Sequence, residues 1–123
     1  MKIAIASDHK GYKLKQELLN HLEKEYEVID LGTNSEESTD FPKYGILLGE
    51  TVIKDNLDLG IAICGTGIGI SIAANKVKGI MCAKISTKEE AIEMIETFIN
   101  STLLIDEKYQ RRINQIKEYE NAN

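Results

Sequence analysis

The stretch Leu59–Lys76, LGIAICGTGIGISIAANK, constrains this chain more than any other part of it. Leu59 to Ile63 carries no polar residue and is rich in isoleucine, the pattern of a strand buried on both faces of a parallel sheet. The strand ends on Cys64. Gly65-Thr66-Gly67-Ile68-Gly69 then places three glycines at alternate positions, where a backbone can turn sharply and bring N–H groups close to a ligand. Ile70 to Lys76 reads as a helix ending near Gly79, so the loop falls at a helix N-terminus, where orphan donors and the dipole favour an anion. A plainer reading makes the turn a tight connection and Cys64 a small core residue. A P-loop would need G-x-x-x-x-G-K-[ST], and the dinucleotide fingerprint G-x-G-x-x-G is broken at Ile70. What remains is an anion hole beside a thiol, which suits a reaction that builds negative charge on oxygen while a proton moves.

At 123 residues the chain is expected to form one domain, residues 1–123, small enough to favour oligomerisation if its site needs more walls. A net charge of -5 argues against nucleic acid as a partner, and the short basic cluster Lys108, Arg111 and Arg112 lacks interleaved aromatics. Leu59 to Ala74 falls short of a membrane span and is interrupted by glycine, Thr66 and Ser71, so no membrane partner is expected. Cys64 and Cys82 both read as lying on buried strands with no disulfide framework, which points to a reduced, cytoplasmic protein. No spacing of metal ligands is present, and no cofactor is expected.

Taken in order, Lys2 to Ser7 reads as a first strand running into Asp8-His9-Lys10-Gly11. Leu14, Leu18, Leu19 and Leu22 draw the apolar stripe of a helix, with His21 at its solvated border. Glu27 to Leu31 is a short strand, and Thr33 to Asp40 a polar loop. Asp40, Phe41 and Pro42 mark a helix start, carried on by Tyr44, Leu47, Leu48, Thr51 and Val52. After the central strand and its glycine loop, Gly79 to Ile85 supplies a fourth strand. Ser86 with Glu89 forms a capping box for a helix lined by Ala91, Ile92, Ile95, Phe98 and Ile99. A charged helix from Glu107 to Tyr119 follows, with Tyr109, Ile113 and Ile116 on one side, and the last three residues look frayed. This order gives an α/β fold, a Rossmann-like three-layer sandwich around a parallel sheet of about four strands. Its ligand edge, outside the C-terminal ends of the strands, gathers Asp8, His9, Cys64 and the glycine loop.

SDHKG at Ser7 to Gly11, EVIDLGTNSEESTDFPKY at Glu27 to Tyr44, CGTGIGISIAANK at Cys64 to Lys76 and YQRRINQI at Tyr109 to Ile116 together resemble the ribose-5-phosphate isomerase B family, which includes galactose-6-phosphate isomerase subunits. The resemblance implies a metal-free aldose-ketose isomerase of a phosphorylated sugar, working as a homodimer or larger assembly whose sites combine residues of two subunits. Carried over by position, Cys64 is the base that moves the proton between C1 and C2. Gly65, Gly67, Ile68 and Gly69 belong to the anion hole for the enediolate, and Thr66 assists ring opening. Asp8, His9 and Tyr44 contact the sugar phosphate. Arg112 matches a phosphate-binding arginine, Lys108 stands where another arginine is usual, and Tyr109 where a histidine is usual. Some members place a glutamate on the glycine loop, and here that position is Ile70.

The resemblance breaks after the fourth strand. Relatives continue into a helix ending in a His-Asn pair and a fifth strand ending in Leu-Gly-Ala-Arg, whereas here Ile85 passes directly to Ser86. One helix-strand unit is missing, and with it the histidine assigned to ring opening and an arginine assigned to phosphate. Two further readings therefore stand beside an active isomerase: a sugar-phosphate-binding paralogue or subunit of a heteromeric isomerase, and a small α/β interaction module.

Overall fold

β1 (Lys2–Ser7) is the middle strand of the sheet, and its residues Ile3 to Ser7 are fully excluded from solvent. Because successive side chains of a strand alternate between faces, such a segment needs a layer on each side. The computed structural model, which describes residues 1–82, 84, 91–100 and 107–123, provides both. Ile3 and Ile5 pack with Leu18, Leu19 and Leu22 of α1 (Tyr12–Leu22) and Ile95 of α4 (Ala91–Asn100). Ala4 and Ala6 face Leu48 of α2 (Phe41–Lys54). Each fully buried leucine or isoleucine contributes about 1.5–3 kcal/mol of transfer free energy.

The described sheet has three parallel strands in the order β2-β1-β3, with β2 at Glu27–Asp30 and β3 at Leu59–Ile63. Pairing of Ser7 with Ile63 brings the C-terminal ends of β1 and β3 level, so Asp8, His9 and Cys64 leave the sheet at one edge. α2 then packs closely on α3 (Ile68–Asn75), where a Cβ on Gly45 would meet Ala73 Cβ and Ile70 O, both at 2.9 Å. The last helix, α5 (Glu107–Ala122), buries none of its residues and is held at its far end by Glu120, whose carboxylate accepts the Gly79 N–H at 3.1 and 3.2 Å.

Several expectations change here. The expected fourth strand does not pair over Gly79 to Cys82 or at Lys84, and its remaining residues, with the Ser86–Glu89 box, lie outside the described residues. Cys82 is thus not on a strand among the described residues. It is half-buried beside α3, where the Asn75 side chain takes its backbone N–H at 2.7 Å and donates to its carbonyl at 2.9 Å. Burial pushes the Cys82 thiol up from its ordinary value, which keeps it protonated at neutral pH. His21 is not simply solvated: its Nε2 stands 3.0 Å from Glu96 Oε1 and ties α1 to α4. Asp40 does sit at the N-cap of α2, but its side chain makes no capping bond. α5 runs on to Ala122, and Ile116 on its apolar side is exposed.

Gly11 sets how near α1 comes to β3. A Cβ there would stand 2.6 Å from Ile63 Cγ2 and 2.8 Å from the Ile63 carbonyl oxygen, a contact that forces backbone to move. Gly11→Ala is expected to destabilise the fold by about 1–3 kcal/mol, the usual cost of overpacking, as read from the midpoint of urea unfolding.

Candidate active site

Cys64 stands at the end of β3, half-buried, and the Gly67 N–H donates to its sulfur at 3.2 Å. Gly67 holds φ at 78°, the left-handed region that costs glycine little, and so turns the chain directly into α3. The helix therefore starts at Ile68, two residues before the expected Ile70, and Ile68 and Gly69 belong to its first turn. Thr66 Oγ1 accepts the Ile68 N–H at 3.2 Å, and Gly67 O accepts the Ser71 N–H at 3.3 Å. Among the described residues no hydrogen bond takes up the N–H groups of Gly65, Thr66 or Gly69. Those donors follow the thiol in the chain at the positive end of the α3 dipole, an arrangement able to hold an oxyanion.

Two lysines missed in the sequence lie against this loop. A Cβ on Gly65 would stand 2.9 Å from Lys10 Cδ, and one on Gly67 would stand 3.6 Å from Lys84 Cγ and 3.7 Å from its Cε. Neither ammonium meets a carboxylate among the described residues. A chain of net charge -5 thus lays two cations against the glycine loop.

Asp8 is buried, with its N–H donating to the Ile63 carbonyl at 3.1 Å and its Oδ1 accepting the Gly11 N–H at 3.0 Å. Part of its task is therefore to fix the turn into α1. His9 is oriented from outside its own segment: the Thr39 N–H donates to Nδ1 at 3.1 Å, and the Thr39 carbonyl lies 3.2 Å from the same nitrogen. A neutral ring accepting at Nδ1 carries its proton on Nε2, and a charged ring carries one there too. With Nδ1 accepting the Thr39 N–H, His9 offers an Nε2–H donor, the complement of a phosphate oxygen.

Tyr44 joins the same row. Hydrogen bonds from Thr33 and Thr39 hold its phenol below the ordinary tyrosine value, outweighing burial, and Lys43 adds to them. Thr33 and Thr39 read in the sequence only as parts of a polar loop. The structure thus groups Asp8, His9, Tyr44, Cys64, Thr66 and Gly65 to Gly69 at the C-terminal edge of the sheet. Lys108 and Arg112 stand apart from this group on α5, their charges over the Tyr109 ring at 5.1 and 5.6 Å. Among the described residues no group of three or more histidine, cysteine or acidic side chains is placed to hold a metal ion, and no helix is long and apolar enough to cross a membrane.

Residues 3–92 match the ribose/galactose isomerase family. The chain belongs to that family. It is 54% identical over 80 residues to ribose-5-phosphate isomerase B of Escherichia coli, a match taking in 64% of this chain and 54% of the other. A Bacillus subtilis relative is 51% identical over a span that is 57% of its own length, so this chain spans about half of either protein. A Mycoplasma genitalium protein named "Probable ribose-5-phosphate isomerase B" aligns over 95% of its length and 96% of this chain at 35% identity. That alignment has 145 positions, and 96% of 123 residues is about 118, so about 27 positions of the relative have no counterpart here. That number is about the size of one helix-strand unit.

Among solved structures, Clostridium thermocellum ribose-5-phosphate isomerase B superposes with a TM-score of 0.90 at 37% identity, covering 99% of both chains. The Mycoplasma genitalium ribose-5-phosphate isomerase B solved with bound ribulose 5-phosphate gives 0.89 at 34% identity, covering 99% of this chain and 97% of the other.

Proposed function

We propose that this chain is an aldose-ketose isomerase of a phosphorylated sugar, with ribose 5-phosphate and ribulose 5-phosphate as its substrate pair. The observation that carries the reading is Cys64: its sulfur is held at 3.2 Å by the Gly67 N–H, next to open N–H donors at a helix N-terminus, in a member of the isomerase family. In the forward direction Cys64 as thiolate takes the proton from C2 of the open-chain aldose. The electrons left behind form the C1–C2 double bond of an enediolate, whose charge falls on oxygen facing Gly65 to Gly69. Returning the proton to C1, with a proton moved from the C2 oxygen to the C1 oxygen, completes the ketose. No atom is gained or lost, so no cofactor is required. His9 Nε2–H and Tyr44 bind the phosphate end, Asp8 orients the turn between them and Cys64, and Thr66 works at the ring oxygen.

Lys108 and Arg112 fit this scheme through a second copy of the chain. α5 buries no residue of its own, and Ile116 and Tyr119 on it are 52% and 70% exposed, which supports an assembly in which α5 packs on a partner and carries its cations to that partner's site. Sedimentation at micromolar concentration is expected to give a dimer or larger species, and a monomer would remove this part of the scheme. Two thiols with no disulfide between them suit a cytoplasmic setting.

The second reading, a sugar-phosphate-binding paralogue or a subunit of a heteromeric isomerase, is favoured by the roughly 27 missing positions. One experiment separates the two. The purified chain and its Cys64→Ser variant are assayed for interconversion of ribose 5-phosphate and ribulose 5-phosphate, and for binding of ribose 5-phosphate by calorimetry. Turnover that disappears in the variant supports the isomerase, whereas binding without turnover supports the paralogue.

A further inference from the structure

Lys15 is completely excluded from solvent, although lysine is among the residues least often buried unless paired. Its partner is Asp30 at the end of β2, whose two carboxylate oxygens both lie 2.7 Å from Nζ. The Tyr12 ring sits under the ammonium, 5.4 Å from Nζ to the ring centre. Desolvating a lysine and an aspartate is costly, and well-packed apolar residues often serve stability as well or better. The pair therefore calls for a role besides holding α1 to β2.

The role lies downstream of Asp30. Its Oδ1 also accepts the Gly32 N–H at 2.9 Å, so the group clamped by Lys15 fixes the turn that ends β2. Gly32 O accepts the Ser7 N–H at 2.6 Å, and Ser7 O accepts the Thr33 N–H at 2.8 Å, which stitches this turn to the end of β1. Gly32 backs the Tyr44 ring, where a Cβ on it would stand 3.2 Å from Cε1. Thr33, only 8% exposed, and Thr39 both act to lower the Tyr44 phenol, and the Thr39 N–H holds His9 Nδ1. One continuous row thus runs from the interior of α1 to the two side chains assigned to the phosphate end of the substrate.

We infer that the buried Lys15–Asp30 pair positions Thr33, Tyr44 and His9 for a sugar phosphate. The inference rests on the proposed isomerase reading only for the identity of that ligand. Lys15 and Asp30 touch no substrate in this scheme and are positioning residues.

The test is a pH titration of the Tyr44 resonance in protein labelled at tyrosine Cζ, assigned with Tyr44→Phe, together with calorimetric binding of ribose 5-phosphate. In Lys15→Met the Tyr44 titration is expected to move up toward the ordinary tyrosine value of about 10, because Thr33 is no longer held under its hydroxyl. Affinity for ribose 5-phosphate is expected to fall about tenfold, the worth of one loosened polar contact. If Lys15→Met does not fold, Lys15→Met with Asp30→Leu carries the test, since it removes both buried charges and the acceptor for Gly32 together. A folded variant in which Tyr44 titrates as in the parent, with only the melting temperature lowered, overturns the inference. So does a shifted titration with unchanged affinity. The titration needs no turnover, so a parent protein inactive on ribose 5-phosphate refutes the proposed reaction without touching this arm.

Discussion

Cys64→Ala is expected to lower kcat for sugar-phosphate isomerisation by about 10²- to 10⁴-fold, the range that a positioned proton-transfer group supplies. In barrier terms that is about 3–5 kcal/mol. KM should change much less. In the proposed mechanism the sulfur faces the carbon that loses a proton and affinity for the ground state resides in the phosphate contacts, so its removal takes away stabilisation realised in the transition state. The fold should survive, because Cys64 is half-buried and its sulfur accepts the Gly67 N–H at 3.2 Å, a group that water can reach in the alanine variant. Steady-state assays of both proteins, with unfolding curves as control, decide the matter. Turnover within a few-fold of the parent would take Cys64 out of the mechanism.

The parts of the fold that could be read in advance are those where hydrophobic period and burial agree. β1, β3 and the leucine stripe of α1 lie in or against the core, so their patterns are dictated by what they bury. Departures arise where distant segments decide the outcome. The start of α3 was misplaced by two residues because a glycine-rich run reads as loop, while Gly67 in the left-handed region is itself the helix cap. Cys82 and its neighbours have strand-like composition, yet the Asn75 side chain occupies the Cys82 backbone groups.

The site divides in the same way. Asp8, His9 and Cys64 were accessible from their positions at strand ends, and Tyr44 only through resemblance. Lys15 interrupts an apolar stripe as any solvated lysine would, and nothing local announces that Asp30, on the following strand, partners it in the interior. Thr33 and Thr39 look like filler in a polar loop, and Lys10 and Lys84 matter only because the fold lays them on Gly65 and Gly67. Lys108 and Arg112 enter only through resemblance, and they lie on α5, a helix that buries none of its own residues.

The missing unit sets the last expectation. Ribose 5-phosphate exists mainly as a closed ring, and opening it requires a group that delivers a proton to the ring oxygen. By resemblance, relatives use a histidine from the segment absent here, and the Mycoplasma genitalium relative retains about 27 positions without counterpart in this chain. His9 cannot readily replace it. Its Nδ1 is held by Thr39 at 3.1 Å, and a neutral ring that accepts there has only the weakly acidic Nε2–H to offer. Thr66 Oγ1 is engaged by the Ile68 N–H at 3.2 Å, which leaves its hydroxyl hydrogen available but supplies no group that ionises near neutral pH. Losing one acid-base group should cost roughly 10²-fold in rate, about 3 kcal/mol of barrier. Against the Mycoplasma genitalium relative, this chain is therefore expected to turn over ribose 5-phosphate about 10²-fold more slowly. The deficit should be markedly smaller on erythrose 4-phosphate, which cannot close a furanose through its phosphorylated oxygen and so needs no ring opening. Measuring kcat/KM for both substrates on both proteins separates the causes. An equal deficit on the two would show that the lost segment acts on binding or on the proton transfer at C2. No deficit on ribose 5-phosphate would mean that a residue of this chain, with Lys84 against Gly67 the first to test, has taken over the delivery of the proton.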